Sequence, residues 1–480
     1  MQNETEKLNN VNEEVPTSQS LTSDKLKSMP VGKLLFTMAL PAIVSMFIES
    51  LYNIIDSLYV SKLGQEALDA IGIGRPLIMI IIATAVGIGV GANAFVARQL
   101  GFKNRKKADQ IAKTSLILAI GAGLVFLALS FFVPVPFVKL FTSNETIIAY
   151  EKDYISLYMA FSMFSIVSIV GAKVLQATGN MRVPMISQIV GCVTNIILDP
   201  FLIFEEFLGI EGLGMGMKGA AIATIIGQAV SCAYVLLAFV VKKQDVSIFP
   251  KGLKFNYKNV WSILNIGLPT FILNAMGSFT TIIINSILKQ YENGITVMSV
   301  FFICQSFVFM PVFGLTQGTM PILSYNYGAN LRHRYNRCFK LSLITALCFM
   351  LFGLVIFQFF PQLIATIFSL SVVAKADTVL AFRILSISFL PAAFSILTIT
   401  LLQSLNAGFY SMSMSLLRQL GFVIPFAFLL NFLFGFKGVF YCYPIAEIFT
   451  LLIFLPIAFG KYKRSFQKRE QLELLKQGAE

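Results

Sequence analysis

The chain has 480 residues, of which 56% are hydrophobic and only 13% are charged, and its mean hydropathy is +0.77. This composition excludes an ordinary soluble protein and predicts a membrane protein with many spans. The net charge of +13 comes from 37 basic and 24 acidic residues. Basic loops at one membrane face account for it, so nucleic acid is not an expected partner.

Residues 1–30 are polar and lack the apolar core of a secretory signal, which predicts a solvated cytoplasmic tail. Twelve apolar stretches follow, each close to the roughly 20 residues needed to cross a bilayer. Because lipid offers no partner to backbone groups, and because the alternating pattern of barrel strands is missing, we predict twelve helices and an all-α membrane protein. The predicted spans are 34–60, 68–97, 115–136, 151–176, 184–204, 217–241, 260–286, 295–325, 340–362, 380–404, 414–434 and 438–460.

Basic residues collect in every second loop, whereas the alternate loops are weakly charged or acidic, as at Glu205 and Glu206. Short cytoplasmic loops are rich in Lys and Arg, so both termini are predicted to be cytoplasmic in a multi-pass protein of the plasma membrane. The clusters include Lys25 and Lys27 in the tail, Arg105, Lys106 and Lys107 after span 2, Lys242 and Lys243 after span 6, Arg332 and Arg334 after span 8, and Lys461 and Lys463 after span 12.

An internal repeat relates the two halves of the chain. Gly87, with Gly91 and Gly101, matches Gly314, with Gly318 and Gly328, at an offset of 227 positions (314 minus 87). Each half holds six spans, and six is even, so both halves enter the membrane from the same side as a parallel repeat. Two such lobes around a central cavity are typical of transporters that rock between open states. The predicted divisions are an N-lobe at 31–241, a cytoplasmic linker at 242–259, a C-lobe at 260–460 and a basic cytoplasmic tail at 461–480.

Cysteine and histidine give little material for catalysis or cofactor binding. The six cysteines form no CxxC pair, most of them lie in apolar spans, and the one histidine, His333, lies in a basic loop. The motifs HExxH and GxSxG are missing as well. We therefore predict a protein that is not an enzyme and needs no cofactor.

Four acids lie well inside the predicted spans: Glu49, Asp56, Asp199 and Glu447. A charge at the bilayer centre costs about 2.5–3.5 kcal/mol on insertion scales, so such an acid usually faces a cavity and a partner. Asp56 lies four residues before the outer end of span 1, and Asp199 lies five before the outer end of span 5. Because both spans run outward, the two carboxylates are predicted to meet at one depth.

Other oxygen ligands are expected near this pair. Asn195 lies one turn before Asp199, Thr224 reaches a similar depth on span 6, and Pro200 leaves the carbonyl of Ile196 without its helical donor. Carboxylate, amide and hydroxyl oxygens suit Na⁺. The same pair can instead hold a proton, because burial and a neighbouring like charge favour the neutral carboxyl.

A purely structural alternative is that Asp199 bonds a neighbouring helix or caps the break at Pro200. Polar bonds between membrane helices are worth about 1 kcal/mol or less, which is too little to offset the insertion of an acid. Weaker candidates for contact with a substrate are Glu49, Asn53, Gln176 and Gln305. Pro41 in span 1 and Pro200 in span 5 are candidate kinks.

Several motifs in this order resemble the multidrug and toxic compound extrusion (MATE) transporters: LYNIIDSLYVSKLG, LQATGN, NIILDPFLI and GMKGAAIAT, followed in the second half by LRQLGFVIP and GFKGVFYCYPIAE. The resemblance runs from about Lys33 to Lys461. It implies an antiporter, expected to work as a monomer, that exports lipophilic and often cationic compounds in exchange for H⁺ or Na⁺. The resemblance also assigns the coupling cation to Asp56, Asn195, Asp199 and Thr224.

The second half departs from one pattern of the family. Some members carry acids on spans 7 and 10, whereas span 7 here offers Asn274 and Asn285, and span 10 has no interior acid. That favours coupling through the first lobe. It does not decide whether the coupling ion is H⁺ or Na⁺.

Three other functions fit the sequence less well. A flippase for lipid-linked saccharides or cell-wall precursors would need basic residues in its cavity, and the deepest of these, Lys173, is predicted to reach the cytoplasmic interface. A channel would show a pore loop or rings of charge. An intramembrane enzyme would need one of the motifs named above.

Overall fold

The computed structural model describes residues 24–207, 209–241, 244–248, 257–291, 293–367 and 372–477. Nearly all of this part of the chain is helical, as predicted, with one two-stranded hairpin in which Glu206 pairs with Glu211 and Phe207 with Ile210. The predicted N-terminal tail lies outside the described residues except for 24–30.

The first half contains α1 (Asp24–Ser28), α2 (Val31–Ser61), α3 (Gln65–Gly101), α4 (Arg105–Leu129), α5 (Pro134–Lys139), α6 (Glu145–Ala160), α7 (Ser162–Ala177), α8 (Arg182–Ile203), β1 (Glu206–Phe207), β2 (Ile210–Glu211) and α9 (Met217–Val241). The second half contains α10 (Tyr257–Leu288), α11 (Gly294–Gly328), α12 (Arg332–Phe359), α13 (Pro361–Ile367), α14 (Val372–Ser386), α15 (Phe389–Ser404), α16 (Gly408–Leu416), a π-helical turn (Leu417–Val423), α17 (Ile424–Phe434) and α18 (Phe436–Gln477).

The prediction of twelve spans is confirmed. Ten helices of the described chain are long and apolar enough to cross a membrane. Two helix pairs, α6 with α7 and α14 with α15, are each bent by 46° and complete the count as broken spans.

Asparagine side chains cap the N-termini of two helices. Asn104 accepts a hydrogen bond from the Lys107 backbone N–H, and Asn144 accepts one from the Thr146 backbone N–H.

Some boundaries differ from the prediction. Span 3 ends at Leu129 rather than at residue 136, because Pro134 opens a separate short helix. Pro361, 227 positions later (361 minus 134), opens the equivalent helix of the second half. Helix α10 begins at Tyr257, inside the predicted linker, of which residues 242–243 and 249–256 lie outside the described chain.

The two lobes, α2–α9 and α10–α18, meet through glycines at the end of the bundle that carries the basic loops. Added to Gly101, a Cβ would lie 2.2 Å from the Tyr325 carbonyl oxygen, and one added to Gly328 would lie 2.2 Å from that of Arg98. These two glycines are equivalent in the repeat and face each other. Only the missing side chain allows such an approach of backbones.

Contacts between α2 and α11 join the lobes on the side nearer the basic loops. A Cβ on Gly318 would lie 2.8 Å from the Ala39 nitrogen, and Ser50 Oγ donates to Met310 Sδ at 2.7 Å. Beyond these contacts on α2, Leu51 and Leu58 are 54% and 58% exposed. We infer that the central cavity between the lobes opens away from the basic loops.

The last helix continues past the predicted span, so residues 461–477 of the predicted tail are a helical extension of α18. Phe466 is fully buried against Tyr335 and Tyr327. Arg469 donates to the carbonyls of Tyr327 and Gly328 and lies 4.4 Å from the ring centre of Phe102 in the other lobe. At the other end of the chain, Arg334 donates to the carbonyls of Leu26 and Met29. Both described ends thus lie on the side of the basic loops.

Candidate cation site in the N-lobe

Helices α8 and α9 bring three of the predicted site residues together. Asn195 Nδ2 donates to Asp199 Oδ1 at 3.2 Å and to Thr224 Oγ1 at 3.3 Å, and all three side chains are buried. Asn195 and Asp199 share a face because they are four residues apart on α8. The helices approach closely because a Cβ on Gly227 would lie only 2.7 Å from the Gly191 carbonyl oxygen.

Asp56 joins this cluster from α2. Its carboxylate lies within electrostatic interaction range of Asp199 and of Tyr52 and Tyr154. The two carboxylates therefore lie in the same part of the N-lobe, close enough to interact electrostatically. That they bind one ion together stays a prediction.

Three oxygens in this cluster lack a hydrogen-bond donor among the described residues: Asp56 Oδ1, Asn195 Oδ1 and Asp199 Oδ2. All three are buried acceptors. An acceptor left unsatisfied away from water costs about 1–3 kcal/mol, and more when it is charged. A proton or a small cation would satisfy them, so the residues present fit either ion.

The donor set also limits which metal fits. Within the described residues, no group of three or more His, Cys, Asp or Glu side chains lies close enough to hold a metal ion. Two carboxylates, an amide and a hydroxyl are hard oxygen ligands and do not resemble a site for a transition metal.

Sequence reasoning missed a layer of tyrosines around the site. Tyr52 and Tyr154 both lie near the Thr224 hydroxyl, and Tyr158 lies near Gln228. Tyr52 lies four residues before Asp56, and that spacing could have identified it. The position of Tyr154 depends on how α6 packs, which no local pattern reveals.

A second polar group lies where the N-lobe contacts α11; we call this group, formed by Glu49, Gln188, Lys173, Gln176 and Gln317, the floor of the cavity. Gln188 Nε2 donates to Glu49 Oε2 at 2.8 Å. Gln317 Oε1, from α11 in the C-lobe, accepts from Lys173 Nζ at 2.8 Å and from Gln176 Nε2 at 3.4 Å. The prediction that Lys173 reaches the cytoplasmic interface is wrong, because its side chain is only 9% exposed and is held between the lobes.

The remaining candidates are more scattered. Asn53 is exposed on α2, and Gln305 is half-buried on α11 in the other lobe. Pro41 and Pro200 both lie inside helices that continue past them. Their roles as a kink and as the source of a free carbonyl stay predictions.

Glu447 has a fully satisfied environment inside the C-lobe. Arg418 Nη1 lies 2.9 Å from Glu447 Oε1, and Ser395 Oγ donates to Oε2 at 2.6 Å. Arg418 belongs to the π-helical turn, a distortion that is frequent at functional positions. The glutamate is therefore neutralised by a neighbouring helix.

Comparison with known proteins identifies the family. A family model described as MatE matches residues 41–201 and 266–429, which is more than half of the chain. Among curated relatives, the multidrug export protein MepA of Staphylococcus aureus is 24% identical over 432 residues, covering 90% of this chain and 94% of that protein. An FAD transporter of Shewanella oneidensis is 25% identical over 428 residues, covering 88% and 93%.

Solved structures show the same fold. An outward-facing MATE family transporter of the MOP superfamily superposes with a TM-score of 0.87 at 24% identity, covering 95% of this chain and 100% of the other. A MOP superfamily transporter from Pyrococcus furiosus gives a TM-score of 0.85 at 23% identity, covering 93% and 100%. With twelve spans in two lobes around a cavity, and with the family model matched in both halves, the chain belongs to the MatE family of membrane transporters.

Proposed function

We propose that this transporter exports lipophilic, often cationic, organic compounds in exchange for H⁺ or Na⁺, which binds at Asp56, Asn195, Asp199 and Thr224. The observation that carries the proposal is the set of three buried oxygens without donors in the N-lobe. A site that is incomplete without a small cation responds to a gradient of that cation. The relatives named as a multidrug exporter and an FAD transporter support a small organic cargo.

The positive-inside rule places the basic loops and both termini in the cytoplasm, and in that orientation the cavity opens outward. In this state an ion from outside neutralises Asp56 and Asp199, which weakens the attraction of the N-lobe for a positively charged cargo. The cargo leaves. After the lobes rock, the ion departs to the cytoplasm and the restored negative charge attracts the next cargo.

The floor of the cavity does not favour a flippase for lipid-linked saccharides. The basic group described there is Lys173, which is held by the amides of Gln176 and Gln317. A pyrophosphate head group is usually bound by several basic groups, often by the paired donors of an arginine.

The test is uptake of a fluorescent lipophilic cation into inverted membrane vesicles. We expect uptake when either a proton or a sodium gradient is imposed with the ion moving out of the vesicle lumen, and only diffusion when neither is present. Vesicles from cells without the protein are the control. An uptake rate that is the same with and without each gradient would contradict the proposal.

A further inference from the structure

We propose that Lys173 binds an acidic group of the cargo, so that the transporter accepts compounds carrying both a cationic and an acidic group. The proposal rests on the export function proposed above and adds a specificity-determining residue to it.

Lys173 is a buried cation without a direct counter-ion. Its Nζ donates to Gln317 Oε1 at 2.8 Å and to Gln176 Oε1 at 3.2 Å, both neutral amides. Glu49 attracts it, but the Glu49 carboxylate is bonded to Gln188. Between the described residues, the three ion pairs within 4.0 Å join Lys218 to Asp153, Arg332 to Glu470, and Arg418 to Glu447.

Such a cation favours an anionic partner. Removing a charge from water costs several kcal/mol, and neutral amides compensate for less of that cost than an opposite charge does. A carboxylate on the cargo would therefore gain more at this ammonium than at a hydrated lysine on the surface.

The surroundings hold the lysine in place for this role. A Cβ on Gly89 would lie 2.7 Å from Lys173 Cγ, so the missing side chain makes room for the lysine stem. Asn93 Nδ2 donates to the Lys173 carbonyl at 2.9 Å. In the second half of the repeat, the equivalent residue is Thr400 (173 plus 227), which bonds its own helix at Ile396. The packing of the repeat thus does not itself require a lysine.

Rocking of the lobes would make this ammonium available. Gln317 belongs to the C-lobe and also contacts Met46 of α2 through its Nε2, 3.1 Å from the sulfur. When the lobes part on the side of the basic loops, Gln317 moves away with its lobe and Lys173 loses an acceptor. Lys173 and Glu49 then remain together on the N-lobe floor, one of each sign. An amine of the cargo can pair with Glu49 while its acidic group pairs with Lys173.

The experiment compares two dyes that differ by one group: a rhodamine with a free carboxylate, and the methyl ester of the same rhodamine. Transport of both is measured in inverted vesicles for the wild type, Lys173→Met and Lys173→Arg. We expect Lys173→Met to lower transport of the acid by about tenfold or more relative to the ester, which corresponds to about 1.4 kcal/mol. Lys173→Arg should restore most of the preference, because it keeps the charge.

Two further variants separate recognition of the acid from contact between the lobes. Gln317→Leu breaks the contact without removing the charge, so it should change transport of both dyes by the same factor. Gln403→Leu is the matched control, since this buried amide bonds Thr270 within the C-lobe. If Lys173→Met also lowers both dyes equally, Lys173 serves only to join the lobes and the proposal is overturned.

A measurement on the wild type alone guards against a variant that fails to fold. The wild-type protein should bind the acid at least as tightly as the ester in a fluorescence titration, and clearly weaker binding of the acid would overturn the proposal. Wild-type vesicles that transport neither dye under any gradient would instead refute the export function itself.

Discussion

The two lobes each place polar side chains inside an apolar bundle, but they leave them in opposite electrostatic states. In the N-lobe, Asp56 and Asp199 interact with each other, and one oxygen of each has no donor among the described residues. In the C-lobe, both oxygens of Glu447 are occupied, one by Arg418 and one by Ser395.

The repeat makes this difference informative, because equivalent positions can be compared. Gln228 of α9 corresponds to Glu447 of α18 at an offset of 219 positions (447 minus 228), the same offset that relates the segments GMKG and GFKG. The C-lobe carries its acid where the N-lobe carries an amide, and it adds an arginine that neutralises the acid. An ion pair holds helices together, whereas a site short of positive charge can bind and release a cation. Under the proposed function, the C-lobe pair would therefore serve structure and the N-lobe acids would serve coupling.

The largest effect is expected from the N-lobe acids. Asp56→Asn and Asp199→Asn each remove a group that can hold the coupling ion, so gradient-driven transport should fall to the level of vesicles without the protein. The measurement is initial uptake of a lipophilic cation at saturating gradient, normalised to protein in the membrane. Asp153→Asn is the control, since this acid pairs with Lys218 near the surface. If both N-lobe variants transport at the wild-type rate, these acids do not couple the ion gradient to transport.

The next effect concerns stability and should appear in the C-lobe. Glu447→Ala leaves Arg418 buried without its counter-charge, and breaking a buried pair in this way typically costs about 3–5 kcal/mol. Thermal unfolding of the purified protein should show a clearly lower Tm than for Asp199→Asn, which removes a carboxylate that has no cationic partner among the described residues. The double variant Arg418→Met with Glu447→Leu should recover much of the loss. Equal Tm values for Glu447→Ala and Asp199→Asn would contradict the comparison.

The smallest effect is expected at Thr224, whose hydroxyl accepts from Asn195 at 3.3 Å. Thr224→Val keeps the shape of the side chain and removes one ligand oxygen. A hydrogen bond of this kind is worth about 1 kcal/mol, so the ion concentration that gives half-maximal transport should rise about fivefold. Thr400→Val, which removes a hydroxyl bonded within its own helix in the C-lobe, is the control. A similar rise in both variants would mean that the Thr224 hydroxyl is not a ligand of the coupling ion.

Part of the candidate site could be predicted because it depends on local spacing. Asn195 and Asp199 share a helix face at any packing, since they are four residues apart. Equal depth for Asp56 and Asp199 followed from counting residues to the ends of two helices that run in the same direction. The expectation for Lys173 failed for the opposite reason: a long side chain can turn toward an interface or toward the neighbouring lobe, and only Gln317 on a distant segment decides which.

The sequence by itself determined the membrane environment, the twelve helices, the repeat and the acids inside the spans, because each of these follows from composition, length and periodicity along the chain. The tertiary structure decided which oxygens lack a donor, that Arg418 neutralises Glu447, and that the lobes close on the side of the basic loops. Those features depend on contacts between residues far apart in sequence. In lipid, where water cannot satisfy a polar group, such contacts decide whether a buried acid is a structural pair or a site for an ion.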